Sequence, residues 1–262
     1  MFGVVPKTIW NKTNPADENN LCTWAMRLLL VEDGSRLMLI DTGIGNKQDE
    51  KFFSHYYLHG NASLDSSLAA LGFHRSAITD VFLTHLHFDH VGGAVLREND
   101  KLMPAFENAT YWSNNQHWDW AVNPNEREKA SFLKENILPI LESGQLKFVA
   151  TEDGVKFSDN INIRFVYGHT DAMMLPLINY KGKQLLYMAD MLPSVGHIPM
   201  PYIMAYDMFP LKTLTEKKAL FAEIIEKEII LFMEHDPVNE CCTLHQTEKG
   251  IRLKETFNLN EI

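Results

Sequence analysis

The sequence predicts an α/β fold, and three features predict it. Short apolar runs rich in β-branched residues recur along the chain and end in polar or Gly-containing turns, the pattern of buried strands. Between them lie segments with apolar residues at helical spacing, such as Leu64, Leu68 and Leu71. The histidines and aspartates with the richest chemistry stand at the ends of the apolar runs, not inside them. A length of 262 residues, 45% hydrophobic and 22% charged, suits one well-ordered globule, read as a single domain over 1–262.

Taken in order, Thr23 to Val31 and Arg36 to Ile40 read as strands joined by the turn Glu32-Asp33-Gly34-Ser35. Ser63 to Leu71 is predicted helical, with Gly72 as its stop, ahead of a buried strand over Ile78 to Leu83. Val91 to Leu96 is predicted to begin a helix. The aromatic stretch Tyr111 to Trp120 holds Trp112, Trp118 and Trp120, which are expected to pack. Ser131 to Leu141 reads as a helix, and Gln145 to Ala150 and Ile161 to Tyr167 as strands. Met173 to Asn179 and Gln184 to Met188 form a predicted hairpin around Lys181-Gly182. Thr213-Leu214-Thr215-Glu216 fits a capping box for a helix reaching Lys227. Ile229 to Met233 reads as a short strand, and Cys241 to Glu248 with Ile251 to Phe257 as a closing hairpin. Cys241 and Cys242 are neighbours on a strand, so one is expected in the core and the other at the surface.

The stretch that matters most follows the Ile78 to Leu83 strand. His85-Leu86-His87-Phe88-Asp89-His90 places three imidazoles and a carboxylate within six consecutive positions, on a loop leaving a strand end and turning toward Gly92-Gly93. Such a density of donors is hard to explain without a metal. The run resembles the signature of the metallo-β-lactamase-fold hydrolases. That resemblance implies a four-layer αββα sandwich, with the metal site at the shared edge of two mixed sheets. It extends to Gly168-His169-Thr170, Asp190 and His235, each at a predicted strand tip. By the same resemblance the first metal takes His85, His87 and His169, and the second takes Asp89, His90 and His235. Asp190 bridges the two, and Asp41 stands behind the ligands and orients an imidazole. On the residues alone Asp41 reads equally well as a turn former at a strand end.

Nitrogen and oxygen donors without thiolate suit zinc best, although manganese, cobalt and iron accept the same donor types. Two divalent ions sharing a carboxylate lower the pKa of a bridging water toward ~7, which makes hydroxide the expected nucleophile. Asp89 and Asp190 are the expected catalytic carboxylates, with Asp89 passing a proton to the leaving group. Zinc β-lactamases carry Cys at the position of Asp190, so antibiotic hydrolysis is not implied. The loop Met191 to Pro210 is apolar and Met-rich, and four prolines keep it from regular structure. It reads as a pocket wall for apolar, neutral substrates, with Phe88, His197, Ile198, Met200, Tyr202 and Tyr206 as candidate lining residues.

The motif set looks most like the N-acyl-homoserine lactone lactonases and their relative methyl parathion hydrolase. A lactonase that opens N-acyl-homoserine lactones or related apolar lactones by attack of a metal-bridging hydroxide is therefore expected. A phosphotriesterase is the alternative, and a metal- or ligand-binding module without catalysis is the alternative of another class. Several of those lactonases place a Tyr three residues after the bridging Asp, where this chain has Pro193. Tyr202, Tyr206 and His197 are the candidates to replace it.

A formal charge of −10 disfavours nucleic acid as a partner, and no apolar run is long enough to suggest a membrane helix. Three cysteines form neither a disulfide framework nor a Cys-x-x-Cys motif, so a reducing, cytoplasmic setting is expected. The residues from Met1 to Lys7 do not resemble a secretory signal, yet look-alike chains carry a further strand upstream. The natural N-terminus is thus expected to lie earlier, which leaves a signal peptide there open. Look-alikes are commonly homodimers, and the resemblance implies a homodimer here as well.

Overall fold

The computed structural model describes residues 1–262, which form two compact units. A central unit spans Leu28–Ala150, and a terminal unit combines Met1–Arg27 with Thr151–Ile262.

The central unit is built on a mixed five-stranded sheet. β1 (Leu29–Asp33) and β2 (Arg36–Ile40) form the expected hairpin, joined through Gly34 at φ 64°. β3 (Asp80–Phe82) lies parallel to β2, with Leu39 opposite Val81. A separate small hairpin, β4 (Val95–Glu98) with β5 (Lys101–Pro104), precedes β6 (Thr110–Asn114) and β7 (Leu146–Val149). The sheet order is β1-β2-β3-β6-β7, parallel from β2 onward. Their alternating apolar residues meet helices Leu64–Ala70, Asn115–Val122 and Lys134–Glu142 in a core around Val81, Leu83, Tyr111, Ile137 and Ile140. Because β2, β3 and β6 run the same way, the chain leaves all three at one edge. That edge receives Asp41, the His85 loop and His117, as ligand-bearing loops gather at the carboxyl ends of parallel strands.

The terminal unit is a seven-stranded sheet in the order β14-β13-β12-β11-β10-β9-β8. Its strands are β8 (Val155–Lys156), β9 (Ile161–Val166), β10 (Met173–Tyr180), β11 (Lys183–Tyr187), β12 (Ile230–Phe232), β13 (Cys241–Thr247) and β14 (Gly250–Phe257). β10 is antiparallel to both β9 and β11, and β12 is parallel to β11. β9, β11 and β12 therefore point the same way, and their ends deliver His169, Asp190 and His235 to one edge. The segment before β1 belongs to this unit. Ala25 and Arg27 donate backbone hydrogen bonds to His235 and Glu234 carbonyls, and the Arg27 guanidinium donates to the carbonyls of Met233, Asp236 and Asn239.

Four sequence expectations need correction. The strand expected from Thr23 begins only at Leu29, because Ala25 and Arg27 bond to the chain beyond β12 instead. No helix starts at Val91: one turn over Phe88–Val91 is followed by a 3-10 turn at Gly92–Ala94 and then β4, whose first residue is the β-branched Val95. The helix assigned a cap at Thr213 begins three residues earlier, at Pro210, whose fixed φ and missing N–H suit a first turn. Cys241 and Cys242 are both fully buried. The helix Pro210–Glu226 packs on β13, an inner strand of the sheet, and alternation exposes neither thiol. No helix is long and apolar enough to cross a membrane.

Candidate metal centre

In the central unit, Asp41 is the first residue beyond β2 and sits at φ 56°, a left-handed conformation uncommon outside glycine. Its carboxylate accepts the Thr84 N–H at 2.8 Å, the Thr84 hydroxyl at 2.6 Å and the His90 Nδ1–H at 3.0 Å. The close approach that allows this depends on two glycines. A Cβ on Gly92 would stand 2.1 Å from the Ile44 carbonyl oxygen, and one on Gly93 would stand 2.2 Å from that of Thr42. The far side of the loop is fixed by His117, whose Nε2 accepts the Leu86 N–H at 2.9 Å.

Thr84 gives its hydroxyl proton to Asp41, so its oxygen accepts from His85 Nδ1–H at 3.1 Å, which leaves His85 Nε2 as a bare lone pair. Glu128, 1% exposed, takes the Nε2–H of His87 at 2.9 Å and leaves His87 Nδ1 bare as well. These two lone pairs face each other at 3.0 Å. Neither has a proton to offer, so the arrangement calls for a cation between imidazoles that are neutral donors.

The terminal unit repeats the logic around Asp190. The Ala25 carbonyl can only accept, so His235 donates Nδ1–H to it at 2.8 Å and turns a bare Nε2 to Asp190 Oδ1, also at 2.8 Å. Asp207, buried at the end of the Pro-rich loop, takes His169 Nδ1–H at 3.0 Å, and His169 Nε2 meets Asp190 Oδ2 at 3.1 Å. Burial works against a charge on His169, but the Asp190 and Asp207 carboxylates outweigh it and push its pKa up to about 10. A group that holds a proton so firmly lies in a field made for positive charge. Asp190 itself follows Ala189, which is held at φ 40°.

The Gly-His-Thr tip is set by the helix Pro210–Glu226. Glu216 accepts the backbone N–H groups of Tyr167 and Gly168 at 2.9 and 3.0 Å, and a Cβ on Gly168 would stand 2.2 Å from Thr213 Oγ1. Donor types and hydrogen-bond directions in both clusters thus fit divalent metal ions.

The candidate pocket residues are placed differently from one another. His197 and Ile198 are buried, Met200 and Tyr202 half-buried, and Tyr206 exposed. His197 stacks on Phe2 with ring centroids 4.2 Å apart, accepts from the Ser194 hydroxyl at 2.8 Å and donates to the Met1 carbonyl at 3.4 Å. Burial pushes its pKa down to about 3, so it is neutral and committed to packing. Lys217, buried in the long helix, donates to the carbonyls of His197, Pro199 and Tyr202 and ties the prolines' loop to that helix. Phe88, half-buried, packs against Phe52 and Tyr56 of the central unit at centroid distances of 5.5 and 4.8 Å.

Sequence reasoning missed Glu128 and Asp207. Asp207 carried a faint signal as a lone acid in an apolar loop, whereas Glu128 lies in an ordinary charged stretch, Asn125-Glu126-Arg127-Glu128-Lys129, and carried none.

The model of the Metallo-beta-lactamase superfamily matches residues 28–235. No curated protein matches the sequence. Among solved structures, a probable metal-dependent hydrolase from Staphylococcus aureus superposes with a TM-score of 0.87 at 26% identity, covering 98% of this chain and 92% of that one. AidC, a dizinc quorum-quenching lactonase in complex with the product N-hexanoyl-L-homoserine, gives a TM-score of 0.74 at 23% identity, over 90% of this chain and 81% of that one. AbOPH, a hydrolase in the beta lactamase superfamily, gives 0.77 at 20% identity, over 97% and 88%. A match over most of the length, two mixed sheets with donors at their strand ends, and hydrolase neighbours lead to one conclusion: the chain belongs to the metallo-beta-lactamase superfamily, has its α/β fold and is a metallo-hydrolase.

Proposed function

We propose that the chain is a dinuclear lactonase that opens N-acyl-homoserine lactones or related apolar lactones. In this reading His85, His87 and His169 hold one ion, Asp89, His90 and His235 hold the other, and Asp190 is shared. The observation that carries it is Asp190, whose two oxygens each lie against the Nε2 of a different imidazole, at 2.8 and 3.1 Å. A carboxylate so placed has one oxygen for each of two cations. When bound, the ions supply Lewis acidity toward the ester carbonyl and an ionised water near neutral pH.

The protein's own groups do the rest. Asp89 has a side chain 33% exposed, against 11% for Asp190 and 7% for His235, so it is the expected donor best able to carry a proton to the departing alkoxide. The three-ring contact of Phe88 with Phe52 and Tyr56 puts an aromatic, uncharged wall on the donor loop itself, which favours an acyl chain over a charged substituent. The likeness to AidC with its acyl-homoserine product supports the same substrate class. The test is proton release from a long-chain acyl-homoserine lactone before chelation, after chelation and after zinc is restored, with paraoxon in parallel. Lactone turnover should vanish and return. Turnover indifferent to chelator would overturn the reading, and faster paraoxon hydrolysis would replace it with a phosphotriesterase.

A further inference from the structure

The central unit contains a buried carboxylate whose position has a consequence for which nitrogen His87 presents. Glu128 Oε1 accepts from His87 Nε2 at 2.9 Å, while Oε2 accepts from Trp120 Nε1 at 2.6 Å and from Asn125 Nδ2 at 3.4 Å. The loop is shaped for this: Asn125 Oδ1 takes the backbone N–H groups of Arg127 and Glu128 at 2.9 and 3.1 Å, turning the chain so that Glu128 points inward. His87, Trp120 and Asn125 each offer the carboxylate a donor. Only a group that accepts on both oxygens satisfies all of them, and an ionised carboxylate is the one side chain that does.

We propose that Glu128 is a positioning residue that fixes His87 as an Nδ1 donor and strengthens metal binding through it. This rests on the dinuclear reading for the metal but not for the tautomer. With Nε2–H given to Glu128, Nδ1 keeps its lone pair and faces His85 Nε2 at 3.0 Å. The negative charge also makes the imidazole a better donor, an effect of buried carboxylates on ligand histidines generally.

The substitution Glu128→Gln is unusually informative because it keeps shape and changes only hydrogen-bond polarity. An amide has a single acceptor oxygen. If that oxygen stays on Trp120, the NH2 group faces His87 and forces Nε2 to accept, which moves the ring proton to Nδ1 and removes the lone pair. If it turns to His87, the NH2 group opposes the Trp120 N–H.

Two readouts test the proposal. The first is the 15N NMR spectrum of the His87 ring in metal-free protein. Wild type should show the proton on Nε2, and Glu128→Gln should move it wholly or partly to Nδ1. A wild-type proton on Nδ1 would overturn the proposal without any variant. The second is zinc affinity by chelator competition, where Glu128→Gln should weaken one of two sites by about 10- to 100-fold and leave the other. Adding Trp120→Phe removes the closer of the two competing donors and leaves only the longer one from Asn125, so the double variant should recover part of the Nε2–H tautomer and part of the affinity. An unchanged tautomer with two unchanged affinities in Glu128→Gln would sink the idea. Wild type that binds no zinc would sink the dinuclear reading instead, while the tautomer measurement would still decide the role of Glu128.

Discussion

The two units gather similar sets of donor side chains by opposite routes. The central unit draws its expected donors from six consecutive residues, His85 to His90, on one loop after one strand. The terminal unit draws His169, Asp190 and His235 from the ends of three strands, brought to one edge by the directions of β9, β11 and β12. In the first case the backbone must be bent tightly, so the work falls on glycines and on side chains such as Asp41 and His117 that grip the loop. In the second the sheet supplies the position, and the histidines need only an acceptor behind them, Asp207 for one and the Ala25 carbonyl for the other. Compact motifs are therefore costly in local geometry, and dispersed ones depend on topology.

The largest expected effect comes from removing the group on which the terminal cluster converges. Asp190→Ala takes away both oxygens that His169 and His235 face, so lactone turnover should fall on the order of 10³-fold. Zinc per chain, measured after dialysis, should drop with it. A variant that keeps its full metal content and rate would show that the cluster around Asp190 is not the chemical centre, and the comparison of the two units would lose its meaning.

A pair of glycine substitutions sharpens the contrast. Gly93→Ala would push a methyl group to 2.2 Å from the Thr42 carbonyl oxygen, and Gly168→Ala would push one to 2.2 Å from Thr213 Oγ1. Each should destabilise by roughly 2–4 kcal/mol, as overpacking against backbone or a helix start does. Gly182→Ala is the control. It meets nothing within 4 Å and sits at φ 77°, so only backbone strain of about 1 kcal/mol is expected. Denaturant melts rank the three, and equal costs for Gly182→Ala and Gly93→Ala would refute the close-approach argument.

This contrast also explains what could be read from the sequence. The His85 loop was readable by itself, because proximity in sequence guarantees proximity in space. His169, Asp190 and His235 gained meaning only once that loop had been seen, since a lone His or Asp after a strand is ordinary. Strand and hairpin positions followed from alternation and Gly turns, and most stand within a residue or two of expectation. The errors share a cause: Val91, Thr213 and Cys241 each obey a tertiary neighbour that local pattern does not contain. Glu128 is the extreme case, for its role exists only because Trp120 and His87 converge on it.

The smallest effect separates packing from chemistry within the terminal unit. Cys242 lies opposite Leu231 on β12, the strand that carries His235, and it is fully buried. Burial pushes its thiol well above the ordinary range, with Cys241 and Asp236 adding to the shift, so no thiolate is present to bind metal. Cys242→Ala removes one sulfur from a filled interior, a loss of about 1 kcal/mol, which in a chain of this size lowers Tm by roughly 2–4 °C. Zinc content and kcat should not move. If either did, β12 would be transmitting a packing change of that size to His235, and the dispersed cluster would be as sensitive to its surroundings as the compact one.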